Sequence, residues 1–337
     1  MSRDAAIGAF LGATGWGDAR RAPLAGDASF RRYERLRLGE RKALLMDAPP
    51  GREDVAAFIH IAQHLASLGL SAPEIYESDV ANGLVLLEDF GDDTLARLLA
   101  EGGEAEPLYR LAVDALIDLH ARPQAEAVPS GLAIYDVDTM VREALLFIEW
   151  YLPAMTGKPA APETEASFAG AWREVLGALG EAPQTLMLRD YFPDNLMRLA
   201  GRQGTAACGI LDFQDAVAGP PAYDLVSLLE DARRDVSPAL CAAMLTRYRS
   251  ALPMADITAF DIAYRILGAQ RHVRVLGVFT RLCKRDGKSD YLIHIPRLWR
   301  LLEEALCHPA LAPVERWFAA NLPVEQRLIP DPGEAFR

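Results

Sequence analysis

The sequence predicts an α+β protein of two lobes: a small antiparallel-sheet lobe over residues 1–90 and a larger helical lobe over residues 92–337, with a hinge near residues 88–91. Three observations predict it. The opening ~90 residues alternate short strand-like apolar runs with turns. The remainder carries apolar faces at helix period, and the change falls at Glu88-Asp89-Phe90-Gly91. A chain of 337 residues also exceeds a single compact core at ~150 residues per domain.

The elements follow in order. Residues 5–16 are apolar and glycine-containing without a strongly basic flank, which reads as a short amphipathic helix and not as a secretion signal. Gly26-Asp27-Ala28-Ser29 is a turn, followed by a partial strand pattern over residues 30–38. Residues 43–46 read as a buried strand that Pro49-Pro50-Gly51 ends. Residues 53–68 gather Val55, Phe58, Ile59, Ala62 and Leu65 on one helical face, with Gly69 as the stop. Residues 73–76 and 83–87 complete the small sheet. Helices are then expected over 106–120, 137–151 and 166–179, with a proline- and glycine-containing break over 153–162. Short apolar strands at 185–188 and 206–211 interrupt them, and helices resume from Tyr223.

The net charge of −12 lacks the basic field that nucleic-acid binding needs. No stretch approaches the ~20 uninterrupted apolar residues of a membrane span, so a cytoplasmic chain is expected, with no membrane partner. Cys208, Cys241, Cys283 and Cys307 are scattered without a CxxC pair, and the histidines are dispersed. Reduced, mostly buried thiols and no structural zinc site are expected. The chain is expected to act as a monomer or a small homo-oligomer.

The chemistry concentrates in Leu188-Arg189-Asp190-Tyr191-Phe192-Pro193-Asp194-Asn195-Leu196-Met197, followed by Gly209-Ile210-Leu211-Asp212-Phe213-Gln214-Asp215. Four residues separate Asp190 from Asn195, a spacing that suits one tight loop with both polar side chains turned to one cleft. An apolar strand delivers Asp212 at its end. A carboxylate, an amide and a second carboxylate are hard oxygen donors that suit Mg²⁺ beside phosphate oxygens. The two pieces resemble the kinase pattern H-R-D-x-x-x-x-N with a later D-F-G. ATP and Mg²⁺ are the cofactors this implies, with Asp190 as catalytic base and Asn195 and Asp212 as metal ligands. Leu188 replaces the histidine and Gln214 the final glycine, neither of which is a base or ligand in that scheme. No V-A-I-K string supplies the strand lysine: Lys42 begins the candidate strand, Met46 and Asp47 lie near its end, and Arg31 or Arg32 is available instead. Ser29, Phe30 and Arg31 at the turn are candidate nucleotide contacts. So are Glu88, Asp89 and Phe90 at the connector, where backbone groups can meet the adenine edge.

Leu119-His120, residues 188–197 and 211–215, Gly219-Pro220 and Tyr223-Asp224-Leu225 together resemble the aminoglycoside phosphotransferase superfamily, over residues 24–299. That superfamily also holds choline-type and homoserine-type kinases, and the resemblance implies its two-lobed, protein-kinase-like fold. Five strings resemble one branch of it: residues 26–33, 46–50, 212–217, 270–277 and 281–288. The branch is the bacterial N-acetylmuramate/N-acetylglucosamine anomeric kinases of cell-wall recycling, whose third strand also lacks an obvious lysine. The resemblance implies a small-molecule sugar as partner and transfer of phosphate from ATP to give the sugar 1-phosphate in peptidoglycan recycling.

Residues 265–288 concentrate Arg265, Arg271, His272, Arg274, Arg281, Lys284, Arg285 and Lys288 against Asp286 alone. Two readings stand: a solvated basic helix face with a loop, or an anion-facing wall near the acceptor. Muramic acid carries a lactyl carboxylate, which arginine binds well, so Arg271 and Arg274 are the candidate acceptor contacts. Asp224 reads as the N-cap of a helix over 225–232, and the resemblance implies that it supports the catalytic loop. His120 closes a helix and reads as helix-end stabilisation or core packing. Two alternatives keep the fold: another acceptor, such as an aminoglycoside, choline or other alcohol, or a catalytically silent nucleotide-binding protein. The intact Asp190, Asn195 and Asp212 argue against silence, and the basic segment argues against a polycationic aminoglycoside.

Overall fold

The computed structural model describes residues 2–24, 30–180, 184–252 and 256–333. The chain forms two compact units, Met1–Ser130 with Leu188–Ala216, and Gly131–Met187 with Val217–Arg337.

In the first unit five antiparallel strands run β1 (Arg20–Pro23), β2 (Arg32–Leu38), β3 (Arg41–Asp47), β4 (Ile75–Asp79) and β5 (Leu84–Leu87), in the spatial order β1-β2-β3-β5-β4. The β2–β3 turn pairs Leu38 with Arg41 across Gly39, whose φ of 59° a side chain would oppose. Leu36, Ala43, Leu45, Leu84 and Leu86 form one apolar face, and helix α1 (Arg3–Ala13) covers it with Ile7, Phe10 and Leu11, joined by Trp16. Helix α2 (Val55–Ser67) is capped by the Asp54 carboxylate, which accepts from the Ala57 N–H at 2.9 Å, and it stops before Gly69 at φ 79°. The expected helix at the start, the strands of the small sheet and α2 are all present. Strand β1 was not expected, because Arg-Arg-Ala-Pro is exposed throughout and carries no alternation.

Two further helices, Leu95–Ala100 and Ala105–His120, belong to this unit, together with a small hairpin of Leu196–Arg198 and Cys208–Ile210. The first hairpin strand and the six-residue helix are too short to show a period in sequence.

The second unit is built around a 30-residue helix, Ile257–Asp286, packed against Ala222–Leu229, Ile295–Leu306 and a π-helical turn at Phe147–Tyr151. The single helix expected over 137–151 is instead Val137–Ala144 followed by that wider turn. Phe147 lies at the centre of an aromatic cluster with Tyr151, Phe168, Trp299, Trp317 and Phe318. The Trp299 indole N–H donates to the Tyr151 hydroxyl at 2.8 Å. The break expected over 153–162 is real but shorter: a helix runs Leu152–Thr156, Gly157 ends it at φ 73°, and Pro162 opens the helix Pro162–Gly177. Proline fits there because a first-turn residue needs no intrahelical N–H. A two-stranded ladder pairs Thr185–Met187 with Val217–Gly219.

Candidate active site

The Asp190 loop is held by its own backbone. The Asp190 N–H donates to the Leu188 carbonyl at 2.8 Å, which turns the chain sharply and places Arg189 in the left-handed region at φ 68°. Asn195 closes a short 3₁₀ turn, and its side-chain amide nitrogen donates to the Asp190 carbonyl at 2.9 Å. The Asn195 carbonyl in turn accepts from the Leu211 N–H at 2.9 Å. The next residue, Asp212, is also left-handed at φ 56°, a conformation aspartate tolerates better than most. Hydrogen bonds thus link Asp190 to Asn195 and Asn195 to Leu211, the residue just before Asp212. The Tyr191 hydroxyl, donating to the Ala112 carbonyl at 2.8 Å, ties the loop to the Ala105–His120 helix. Phe213, beside Asp212, stacks on Phe58 of α2 at 5.0 Å.

Asp212 does not stand alone. Its Oδ1 accepts from the Arg31 guanidinium, and from the Gln214 amide nitrogen at 3.2 Å. The Gln214 amide oxygen accepts from Arg31 at 2.5 Å, and Glu53 pairs with Arg31 at 3.5 Å. Arg31 is 8% exposed. Its burial opposes the charge, but Tyr33, Asp212 and Glu53 outweigh it and hold the guanidinium protonated. Met46 on β3 is fully buried and meets the Tyr33 hydroxyl through its sulfur at 3.3 Å, so no strand lysine stands at that position.

The residues fit a magnesium ion. Both contacts to Asp212 use Oδ1, and among the described residues Oδ2 takes none. The Asn195 side chain uses its nitrogen, which leaves the amide oxygen, the atom a hard cation takes. No group of three or more His, Cys, Asp or Glu able to hold a metal occurs among the described residues. Two protein oxygens suit Mg²⁺, which fills most of its shell with water and phosphate oxygens.

At the connector the side chains are already engaged. Arg202 grips both oxygens of Glu88, at 2.7 and 2.8 Å, and lies over the Phe90 ring at 5.3 Å. Arg35 of β2 pairs with Asp89 at 2.8 Å and with Asp92 at 2.9 Å. The Glu88 N–H donates to Glu74, whereas those of Asp89 and Phe90 meet no acceptor among the described residues. Phe30 is exposed, with its N–H donating to Glu53 at 3.0 Å, and Arg52 lies over its ring at 4.6 Å. Ser29 lies outside the described residues.

In the second unit, Arg271 is buried, lies over the Tyr223 ring at 5.4 Å and reaches the Tyr223 hydroxyl at 3.5 Å. Arg274 pairs with Glu143 at 3.0 Å, and the Tyr135 hydroxyl donates to the same carboxylate at 2.6 Å. His272 meets Glu230 at 2.7 Å. The reading of residues 265–288 as a solvated basic face is corrected: Arg271, His272 and Lys284 are buried, and opposing carboxylates arrive from other elements. The N-cap reading of Asp224 is also corrected. The helix begins at Ala222, so Asp224 sits fully buried inside its first turn, and Pro221 holds the cap position.

His120, the last residue of its helix, has its Nε2 buried, and burial pushes its pKa down to about 3. The ring is neutral at ordinary pH, which favours packing over charge stabilisation of the helix end. Below its usual value of 6.5 the unfolded chain binds a proton that the folded one refuses. Stability is therefore expected to fall by up to about 1.4 kcal/mol per pH unit as pH drops through this range. Urea midpoints between pH 7 and 5 should fall less steeply in His120→Gln, and identical slopes would refute the assignment.

The site partners that sequence reading missed are Glu53 and Gln214. The signal was present in the departure of Gln214 from D-F-G, but only the folded chain shows it facing Arg31.

The fold is that of small-molecule kinases. A choline/ethanolamine kinase family protein from Mesorhizobium loti superposes with a TM-score of 0.62 at 16% identity, over 94% of this chain and 100% of that one. ADP-bound aminoglycoside phosphotransferase APH(2'')-Ib superposes with a TM-score of 0.56 at 16% identity, over 85% of this chain and 93% of that one. Residues 20–261 match the APH phosphotransferase enzyme family, and the chain belongs to that family. It is similar to an N-acetylmuramate/N-acetylglucosamine kinase of Caulobacter vibrioides, 41% identical over 96% of this chain and 98% of the relative. A kinase of the same name from Pseudomonas aeruginosa is 38% identical over 89% of each. Among the described residues no helix is long and apolar enough to cross a membrane.

Proposed function

We propose that this chain phosphorylates the anomeric hydroxyl of N-acetylmuramate or N-acetylglucosamine with ATP, giving the sugar 1-phosphate for peptidoglycan recycling in the cytoplasm. The observation that carries the chemistry is the hydrogen-bonded run from Asp190 through Asn195 to Leu211 and Asp212. The choice of acceptor rests on near-full-length similarity to kinases bearing those two sugar names.

In this reading residues 1–90 are the nucleotide-binding lobe, with a hinge at 88–91, and residues 92–337 carry the acceptor site. The Asp190 carboxylate accepts the proton as the sugar oxygen attacks, and the Asn195 bond to its carbonyl keeps the loop in place while the charge moves. Asn195 and Asp212 would hold the metal through their oxygens. Bound Mg²⁺ would neutralise charge building on the transferred phosphoryl group. Asp89 and Phe90 offer backbone groups to the adenine, and Arg31 faces the triphosphate. Arg271 and Arg274 are the proposed partners of the lactyl carboxylate, with Arg274 exchanging Glu143 for it. Asp224 supports the catalytic loop.

ADP release is the test, with N-acetylmuramate, N-acetylglucosamine, choline and an aminoglycoside offered in parallel. The expected result is turnover with the amino sugars and an acid-labile, alkali-stable sugar phosphate. Turnover with choline or the aminoglycoside alone would overturn the acceptor assignment.

A further inference from the structure

Four groups converge on the Arg31 guanidinium: the Asp212 carboxylate, the Gln214 amide oxygen at 2.5 Å, the Glu53 carboxylate at 3.5 Å and the Tyr33 hydroxyl. Gln214 also donates to Asp212 Oδ1 at 3.2 Å and to Asp215 at 2.9 Å. One amide side chain therefore braces both members of the Arg31–Asp212 pair. A glycine, the usual occupant of this place in the kinase pattern, has no group with which to do so.

We infer that Arg31, braced by Gln214, is a positioning residue that occupies Asp212 as its counter-ion until a nucleotide draws it away. The inference rests on the metal role proposed for Asp212. A carboxylate paired with a guanidinium through Oδ1 is a poorer ligand for a divalent cation even at its open Oδ2, because the incoming ion is repelled by the fixed positive charge beside it and shares a carboxylate charge that the guanidinium already balances. Arg31 is nearly buried and cannot turn to water without cost, so its release needs another anion. A triphosphate is such an anion, and its oxygens match the planar fork of the guanidinium. Metal binding without nucleotide is thereby suppressed. Nucleotide relieves the suppression, and by linkage metal tightens nucleotide by the same factor. The arrangement also accounts for the missing strand lysine, since Arg31 serves both the resting carboxylate and the incoming phosphates.

Mn²⁺ titration followed by electron paramagnetic resonance, with and without the non-hydrolysable nucleotide AMP-PNP, tests this without turnover. In the wild-type protein Mn²⁺ alone is expected to bind weakly and to tighten strongly when AMP-PNP is present. In Arg31→Gln, Mn²⁺ alone should bind roughly tenfold more tightly, AMP-PNP more weakly, and the tightening between them should shrink. Gln214→Ala removes the brace without removing the charge and should move Mn²⁺ affinity the same way by less. Unchanged Mn²⁺ affinity in both variants, each shown folded by circular dichroism, overturns the inference. Asp212→Asn separates the two layers. Loss of Mn²⁺ binding in that variant, with Arg31→Gln and Gln214→Ala unchanged, defeats the counter-ion role alone. Full Mn²⁺ binding in Asp212→Asn removes the metal role and the counter-ion role with it.

Discussion

Asp190→Asn is expected to lower kcat by about 10²- to 10⁴-fold, the range over which a positioned general base acts. Nucleotide affinity should stay within a few-fold of wild type. Asparagine keeps the shape and the backbone bonds, and the loop is built from the Asp190 N–H to Leu188 and the Asn195 amide to the Asp190 carbonyl. The substitution therefore removes proton acceptance and leaves these backbone bonds in place. Steady-state ADP release, paired with a nucleotide titration, checks both halves. A variant that turns over near the wild-type rate would take Asp190 out of the role of base. A variant that also loses nucleotide would show that the side chain builds the site and does not merely act in it.

The second large effect concerns stability and has an unusual sign. Alanine is favoured over glycine inside helices by about 1 kcal/mol, so Gly277→Ala in the middle of the 30-residue helix should be stabilising on propensity alone. The opposite is expected. A Cβ at this position would meet the Leu146 carbonyl group and lie 2.7 Å from the Phe147 nitrogen, both backbone atoms that cannot rotate away. Overpacking of this kind costs about 1–3 kcal/mol or more, enough to reverse the sign. Gly170, within the Pro162–Gly177 helix, has nothing within 4 Å of the same added atom, so Gly170→Ala should follow propensity and stabilise. Urea midpoints of the two variants, measured together, give the comparison. If both shift upward, the close approach of helix and π-turn backbone is not a constraint.

The two positions also show what the sequence could and could not convey. Asp190, Asn195 and Asp212 were legible because a short loop and a strand end fix their spacing locally, and the hydrogen bonds that link them run through neighbouring backbone. The β2, β3 and β5 strands and α2 were legible because burial on one face imposes a period. Arg20–Pro23 was not, since an exposed strand has no such constraint. The basic run at 265–288 misled for a related reason. A count of charges along the chain sees the arginines, whereas Glu143 and Glu230, which pair with Arg274 and His272, come from elements more than forty residues away. Gln214 was visible as a departure from a pattern, but its meaning depends on Arg31, 183 positions distant in sequence. The N-cap reading of Asp224 failed because a helix start shifts by three residues without any change in composition.

The edges of the five-stranded sheet have a bearing on handling the protein in solution. An open strand edge invites another chain to dock by backbone pairing, and the usual deterrents are brevity, charge, proline and bulges. Strand β1 ends one side with four exposed residues, two of them arginine and the last proline. Strand β4 ends the other with a register shift between Ile75 and Glu77. Removing β1 would make the seven-residue β2 the new sheet edge, a longer margin than the four-residue Arg-Arg-Ala-Pro segment that covers it.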